Sequence, residues 1–285
     1  MKLAIGTAQF GMPYGISNKS GQTSQLEAKK ILDMAFASGV DTLDTAIGYG
    51  DSEATLGQVS IAGWNVISKI PPMPFGNDSD WVLRQVKGSL SNLRIDQLDG
   101  VLLHAPEQLF SPDGTEIIRG LEKAKSQGLV KKLGYSIYSP EHLPSFLDVF
   151  KPDIVQLPLN IFDQRAINTG WLAKMIELGI EIHARSIFMQ GLLLMSSAQR
   201  PAYFHKWNEL FKKWDSMVAD KNPLEVCFSF IKSIHGISRV VVGVESQAQL
   251  SQLLFAWNKA VPMTAPQFSC KDEALVNPSN WKTTF

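Results

Sequence analysis

Short apolar runs alternate with longer amphipathic segments along the whole chain. The runs are Leu3–Gly6, Val40–Asp44, Asn65–Ile70, Gly100–His104, Lys132–Ser136, Asp153–Leu157, Ile180–Ser186 and Arg239–Gly243, and no hairpin dipeptide joins any neighbouring pair. The segments between them read as helices. Ser24 and Glu27 form a capping box, in which each side chain is expected to satisfy the other's backbone N–H. Val82, Val86, Leu90 and Leu93 recur at helical spacing, and Asp113 with Glu116 opens a segment carrying Ile117, Ile118 and Leu121. Ser139-Pro140-Glu141 places a cap and a first-turn proline before Leu143 and Phe146, and Ser246 with Gln249 opens the last such helix.

When every return between strands passes through a helix, neighbouring strands must pair in parallel. Two architectures compete, a doubly wound sheet and a closed barrel. No GxGxxG follows the first strand, and eight strand–helix units fill a (β/α)8 TIM barrel. The predicted fold is therefore that barrel, one domain over residues 1–285. The long interval from Ser186 to Arg239, with helical stretches at Ala202–Met217 and Pro223–Ile234, reads as a helical insertion after strand seven.

Composition narrows the class. The 285 residues hold 27 Lys and Arg against 27 Asp and Glu, so no basic excess points to nucleic acid or a membrane surface. At 45% hydrophobic and 19% charged residues, the chain is not of the disordered type. Cys227 and Cys270 sit in no CxxC or Cys/His cluster, which predicts neither disulfide framework nor metal site. The opening run is far too short for a signal-peptide core, so a soluble cytoplasmic protein is expected.

In such barrels the chemistry gathers where strands end. The second, third and fourth strands end in Asp44, Lys69 and His104, and Tyr49 lies in the loop just beyond Asp44. Taken singly, each has an ordinary structural reading as a cap, a solvated lysine, a hydrogen-bonded histidine or a turn aromatic. Taken together, they are ionisable groups brought into one partly dry mouth, where a lysine and an aspartate are costly unless paired. A positive lysine beside a phenol favours the phenolate, which makes Tyr49 a better proton donor, and Asp44 is expected to hold Lys69 in place. That arrangement suits protonation of an oxyanion as a carbonyl accepts hydride.

The stretch Leu43-Asp44-Thr45-Ala46-x-x-Tyr49-Gly50-x-Ser52-Glu53-x-x-Leu56-Gly57 resembles the aldo-keto reductase family. So do Ser68-Lys69, Leu102-Leu103-His104, Gly134-x-Ser136, Gln156-x-x-x-Asn160 and Gly191-Leu192-Leu193. The resemblance runs over essentially the whole chain. Its opening Gly6–Gly11 and the stretch Ala184–Gly191 are similar to a bacterial branch associated with sugar pathways. It implies reduction of a small-molecule carbonyl with Tyr49 as general acid, Lys69 and Asp44 as its tuning pair, and His104 orienting the carbonyl. It implies that Ser136, Gln156 and Asn160 hold the nicotinamide, with further cofactor contacts from Thr7, Asp44, Arg185, Ser186, Gln190, Gly191, Gly243, Ser246 and Gln252. NADPH is the cofactor that the resemblance puts first.

This sequence departs from the family's pattern in two places. Where many members carry an aromatic residue that stacks on the nicotinamide, Arg185 stands here, able to stack or to pair with an anion. After the eighth strand, Gly243–Gln249 holds no Lys or Arg, and Gln252-Leu253 replaces the usual Glu-Asn. Glu245 is suited to a ribose 2′-OH, which leaves NADH or dual use open. Two other functions compete with reduction: an aldolase using Lys69 as a Schiff base, and a cofactor-sensing regulatory subunit with little turnover. Candidate pocket residues are Gln9, Tyr14, Trp81, Phe110, Tyr138, Phe162, Phe188 and the segment Asn277–Trp281, with core packing the ordinary reading for most of the aromatics; the Trp207–Trp214 helix is either a cover or an ordinary amphipathic helix.

Overall fold

A computed structural model describes residues 1–18, 20–266 and 268–281. Eight parallel strands close into one barrel in chain order: β1 (Lys2–Gly6), β2 (Thr42–Asp44), β3 (Asn65–Ile70), β4 (Leu98–Leu103), β5 (Val130–Ser136), β6 (Ile154–Pro158), β7 (Glu181–Arg185) and β8 (Ile237–Gly243). Closure is direct, since β1 pairs along its whole length with β8, from Lys2 opposite Arg239 to Gly6 opposite Gly243. The predicted (β/α)8 barrel is the observed one, and each strand falls within two residues of the apolar run that announced it.

The helices are α1 (Ala8–Gly11), α2 (Gln25–Ala37), α3 (Ser52–Val59), α4 (Ser79–Leu93), α5 (Gly114–Ser126), α6 (Leu143–Val149), α7 (Arg165–Asn168), α8 (Trp171–Glu177), α9 (Asn208–Val218), α10 (Pro223–Lys232), α11 (Gln247–Lys259) and α12 (Glu273–Val276). Between β7 and β8, α9 is the element beyond the regular repeat, so the insertion after strand seven is present. None of the helices among the described residues is long and apolar enough to cross a membrane.

Strands buried on both faces explain the uninterrupted apolar runs. Outward-facing residues such as Leu43, Val66, Leu103 and Val155 pack under the helix layer, and Ile67, Leu102 and Ile154 form a separate cluster inside the barrel. Gly100 belongs there too, because a Cβ at that position would meet the side chains of Ile67 and Ile154 at 2.8 and 2.9 Å. The interior is thus packed and the mouth is left for chemistry.

One predicted cap is only half made. Ser24 accepts from the Glu27 N–H, but the Glu27 carboxylate does not return the bond. It reaches instead to the first residue of α11, where Oε1 accepts from the Gln247 N–H at 2.8 Å. Helices α2 and α11 are neighbours on the barrel wall, and that tertiary acceptor site wins over the local one.

Candidate active site

The C-terminal ends of the strands ring a single cavity of about 750 Å³, within the size range of small-molecule and cofactor sites. Asp44 ends β2, Lys69 lies one residue inside the end of β3, and His104 follows β4. Tyr49 sits on the turn between β2 and α3. In the registers of adjacent parallel strands Asp44 pairs with Ile67 and Lys69 with Leu102, so Lys69 and His104 each stand two residues beyond the partner of the group before.

The Tyr49 turn is clamped to the β1 end by backbone contact. A Cβ on Gly11 would lie 1.8 Å from the Tyr49 carbonyl oxygen, and one on Gly50 would lie 2.4 Å from the Gly11 oxygen. Gly50 also adopts a positive φ of 53°, a conformation that glycine takes without a steric penalty. Behind the turn, the Ser52 hydroxyl donates to the Thr7 carbonyl at 2.9 Å, and the Thr7 hydroxyl donates to the Asp44 carbonyl at 3.1 Å. These bonds give the recurring Ser-Glu after Tyr-Gly a positioning purpose, since Glu53 in turn accepts from Ser68 at 2.6 Å and from Ser89. Gly11→Ala is expected to displace the Tyr49 turn and to lower the melting temperature, which thermal melts will check.

Lys69 is 1% exposed and points its ammonium at two acceptors, Asp44 Oδ1 at 2.7 Å and the Thr45 carbonyl at 2.9 Å. The other Asp44 oxygen accepts from the Gln156 amide. The ammonium lies 5.0 Å from the centre of the Tyr49 ring, and the His104 ring meets that ring edge to face at 5.8 Å. The Tyr49 hydroxyl itself takes no protein partner among the described residues and faces the cavity. All four predicted groups therefore converge, three lining the cavity and Lys69 behind them.

The electrostatics differ from the sequence-based expectation. Burial holds the Tyr49 phenol above its ordinary range, the Asp44 charge pushes the same way, and Arg185 works against them. Burial also pulls Lys69 below its usual range, and Asp44 pulls it back. Lys69 is engaged by Asp44 and Thr45, so it does not act on the phenol as a free cation would. His104 is lowered from 6.5 to about 4 by burial first, then by the charges of Lys69 and Arg185. Its ring is neutral at physiological pH.

Among the other predicted residues, Thr7, Ser136, Arg185, Ser186, Gln190, Gly191, Gly243 and Gln252 line the cavity, as do Gln9, Tyr14, Tyr138 and Phe188. Gln156 and Asn160 are buried just outside its lining. Gln156 is tied to Asp44, and Asn160 organises its own turn by accepting from the N–H groups of Phe162 and Asp163 at 3.0 and 2.8 Å. Ser246 caps α11 by accepting from Gln249 at 3.2 Å. Trp81, Phe110, Phe162, Trp207, Trp214 and the Asn277–Trp281 segment lie away from the cavity. Phe162 packs on Phe211 and Trp214, and Trp281 on Phe204, so these aromatics serve the outer packing. Sequence reasoning missed Ser17, Met195, Gln199 and Leu224, polar and apolar residues in the loops after β1 and β7 and in the first turn of α10 that carry no motif.

The Arg185 guanidinium carbon lies 4.4 Å from the centre of the Tyr138 ring, and the group donates to the Ile137 carbonyl at 3.0 Å and has no carboxylate partner among the described residues. The loop after it is strained: Ser186, Met189 and Gln190 have φ of 59°, 48° and 53°, followed by Gly191 at 92°. Such left-handed residues cost free energy and persist where the surroundings enforce them, commonly at ligand sites. The N–H groups of Ile187, Phe188 and Gln190 have no protein partner among the described residues. A guanidinium and free N–H donors at one rim make a donor set suited to an anionic group such as a diphosphate.

A sequence model described as the Aldo/keto reductase family matches residues 2–275. The chain is 28% identical over 170 residues to a 6-dehydroglucose reductase of Novosphingobium aromaticivorans, covering 51% of this chain and 55% of that protein. It is 24% identical over 304 residues to a D-arabinose 1-dehydrogenase of Saccharomyces cerevisiae, covering 96% and 88%. The chain thus spans about half the length of the first of these curated relatives and most of the second. Among solved structures, the holo form of an aldo-keto reductase from Bacillus halodurans superposes with a TM-score of 0.74 at 22% identity, covering 92% of this chain and 88% of that one. That likeness is one of fold.

Proposed function

The chain belongs to the aldo/keto reductase family, and on that premise we propose that it is an NAD(P)H-dependent oxidoreductase that reduces an aldehyde or ketone to an alcohol. The observation that carries this reading is the convergence of Asp44, Tyr49, Lys69 and His104 on one cavity, with the Lys69–Asp44 pair 2.7 Å apart behind the phenol. The cavity's size, Ser136 at its floor and the anion-suited rim at Arg185 fit a nicotinamide dinucleotide. Residues 185–191 would hold its phosphates, and Ser136 with Thr7 would face its reactive end.

When bound, a reduced nicotinamide supplies the hydride and its electron pair to the carbonyl carbon. The neutral His104 ring donates an N–H to the carbonyl oxygen and orients it. Tyr49 gives its proton to that oxygen as negative charge develops there, and is reprotonated from solvent. Burial keeps the phenol protonated, so the acid is in its active form over the whole physiological range. Lys69 and Asp44 hold one end of the ring environment fixed. Lys69, almost fully enclosed and engaged by two acceptors, has no approach to a substrate carbonyl, which speaks against a Schiff base.

Because relatives of this chain are named for 6-dehydroglucose and D-arabinose, a sugar-type carbonyl is the substrate class to test first. The test is nicotinamide oxidation with aldoses, keto-sugars, aromatic aldehydes and quinones. Cofactor binding with no turnover on any of them would favour a regulatory subunit, and borohydride trapping of substrate on Lys69 would favour an aldolase.

His104 also sets an acid-side stability. The unfolded ring takes a proton near 6.5, whereas the folded ring refuses it until about 4. Stability is therefore complete above pH 6.5 and falls as pH drops through this window, because the unfolded state binds more protons. A His104→Gln variant is expected to show a shallower fall of Tm across that range in thermal melts.

A further inference from the structure

We infer that the end of the cavity at β8 and α11 is built for an unphosphorylated ribose, so that this chain takes NADH in preference to NADPH. The inference rests on the nicotinamide reading above and sharpens it. With the reacting carbon beside Tyr49 and His104, the lining runs away between the loop after β7 and the turn from β8 into α11, ending at Gly243, Glu245, Gln249 and Gln252. A dinucleotide seated at the reacting end and extended along this lining would bring its second ribose toward that turn.

Charge at this end is negative and unpaired. Among the described residues lining the cavity, Arg185 is the one Lys or Arg, and it stands over Tyr138 at the other rim. Of the two lining acids, Asp44 is matched by Lys69, while Glu245 has no cationic partner among the described residues. Part of the N–H set at the start of α11 is already taken, although the Ser246 and Ala248 N–H groups have no partner among the described residues. The Glu245 N–H is taken by the Gln249 side chain at 2.8 Å, the Gln247 N–H by the Glu27 carboxylate at 2.8 Å, and the Gln249 N–H by Ser246 at 3.2 Å. Glu27 thus places a second carboxylate on the positive end of the helix, and the one nearby cation, Lys30, is 3.6 Å from Glu27 and half exposed.

Helix N-termini bind phosphate through free N–H groups and a favourable dipole. Here two of the helix's own donors, those of Gln247 and Gln249, are occupied, and the dipole is offset by the Glu27 carboxylate. A ribose diol, by contrast, donates to a carboxylate, the arrangement that acidic residues make in NAD sites. A 2′-phosphate adds about −1.5 to −2 of charge between Glu245 and Glu27. Like charges brought together in this way cost enough to separate the two cofactors by roughly tenfold or more in affinity.

The test is binding to the full chain. NADH and NADPH are titrated by fluorescence, and 5′-AMP and adenosine 2′,5′-bisphosphate by calorimetry. The expected result is NADH tighter by roughly tenfold or more, with the bisphosphate no tighter than 5′-AMP. Glu245→Gln and Glu27→Gln should each narrow the gap, and Glu245→Arg should reverse it. NADPH binding as tightly as NADH, or a gap unmoved by all three variants, overturns the inference while leaving the reductase reading intact. Failure of every nucleotide to bind overturns both.

Discussion

Replacing Tyr49 by phenylalanine is expected to lower kcat for carbonyl reduction by about a thousandfold or more while leaving cofactor affinity nearly unchanged. The exchange removes one oxygen and keeps the ring, so the edge contact with His104 at 5.8 Å and the Lys69 contact at 5.0 Å both survive. What is lost is the phenol that stands against His104 and Lys69. Neither of those two can replace it: His104 is neutral above about 4 and has an N–H to share but no surplus proton to surrender. The Lys69 ammonium is held by Asp44 and the Thr45 carbonyl. The wild-type rate profile adds a second check. Since burial and Asp44 raise the phenol, the basic limb is expected above the ordinary tyrosine value of ~10. Tyr49→Phe retaining a tenth of the wild-type rate, or a basic limb near neutrality, would remove Tyr49 from the role of acid.

The barrel was legible because parallel strands covered on both faces must be apolar throughout, and eight such runs stand out against amphipathic helices. The strand ends followed from the same pattern, which is why Asp44, Lys69 and His104 were found without any structure. Direction was not legible. Sequence places Lys69 beside the phenol but does not say that its ammonium turns to Asp44 and Thr45, and the balance of burial against charge at Tyr49 depends on that turn. Glu27 shows the same limit, because its local partner at Ser24 lost to a helix end 220 residues away. The left-handed run Ser186, Met189, Gln190 was equally hidden, since none of the three residue types announces a positive φ. Aromatic residues were ambiguous for a plain reason: Trp81 and Phe162 took their ordinary place in or against the core, and composition cannot tell that layer from a cavity wall.

Lys69→Met is expected to destabilise the fold by about 3–5 kcal/mol, the cost of leaving a buried charge without its partner. Asp44 is 4% exposed, and with Lys69 gone its carboxylate keeps only the Gln156 amide, while the Thr45 carbonyl loses its donor altogether. The effect belongs to the pair rather than to the lysine. Adding Asp44→Asn removes the stranded charge and retains an acceptor for Gln156, so the double variant should regain more than half of the lost stability in urea unfolding. It should regain no activity, because the geometry behind the phenol is still broken. Residues in direct contact couple in this non-additive way, whereas a lysine contributing only helix or strand propensity would give additive losses. A single variant as stable as wild type would show that water reaches Asp44, and a double variant less stable than Lys69→Met would show that the Asp44 charge is held by groups other than Lys69. Recovery of the fold without recovery of turnover separates the two tasks that the pair performs: satisfying itself in a dry barrel mouth, and fixing the surroundings in which Tyr49 releases its proton.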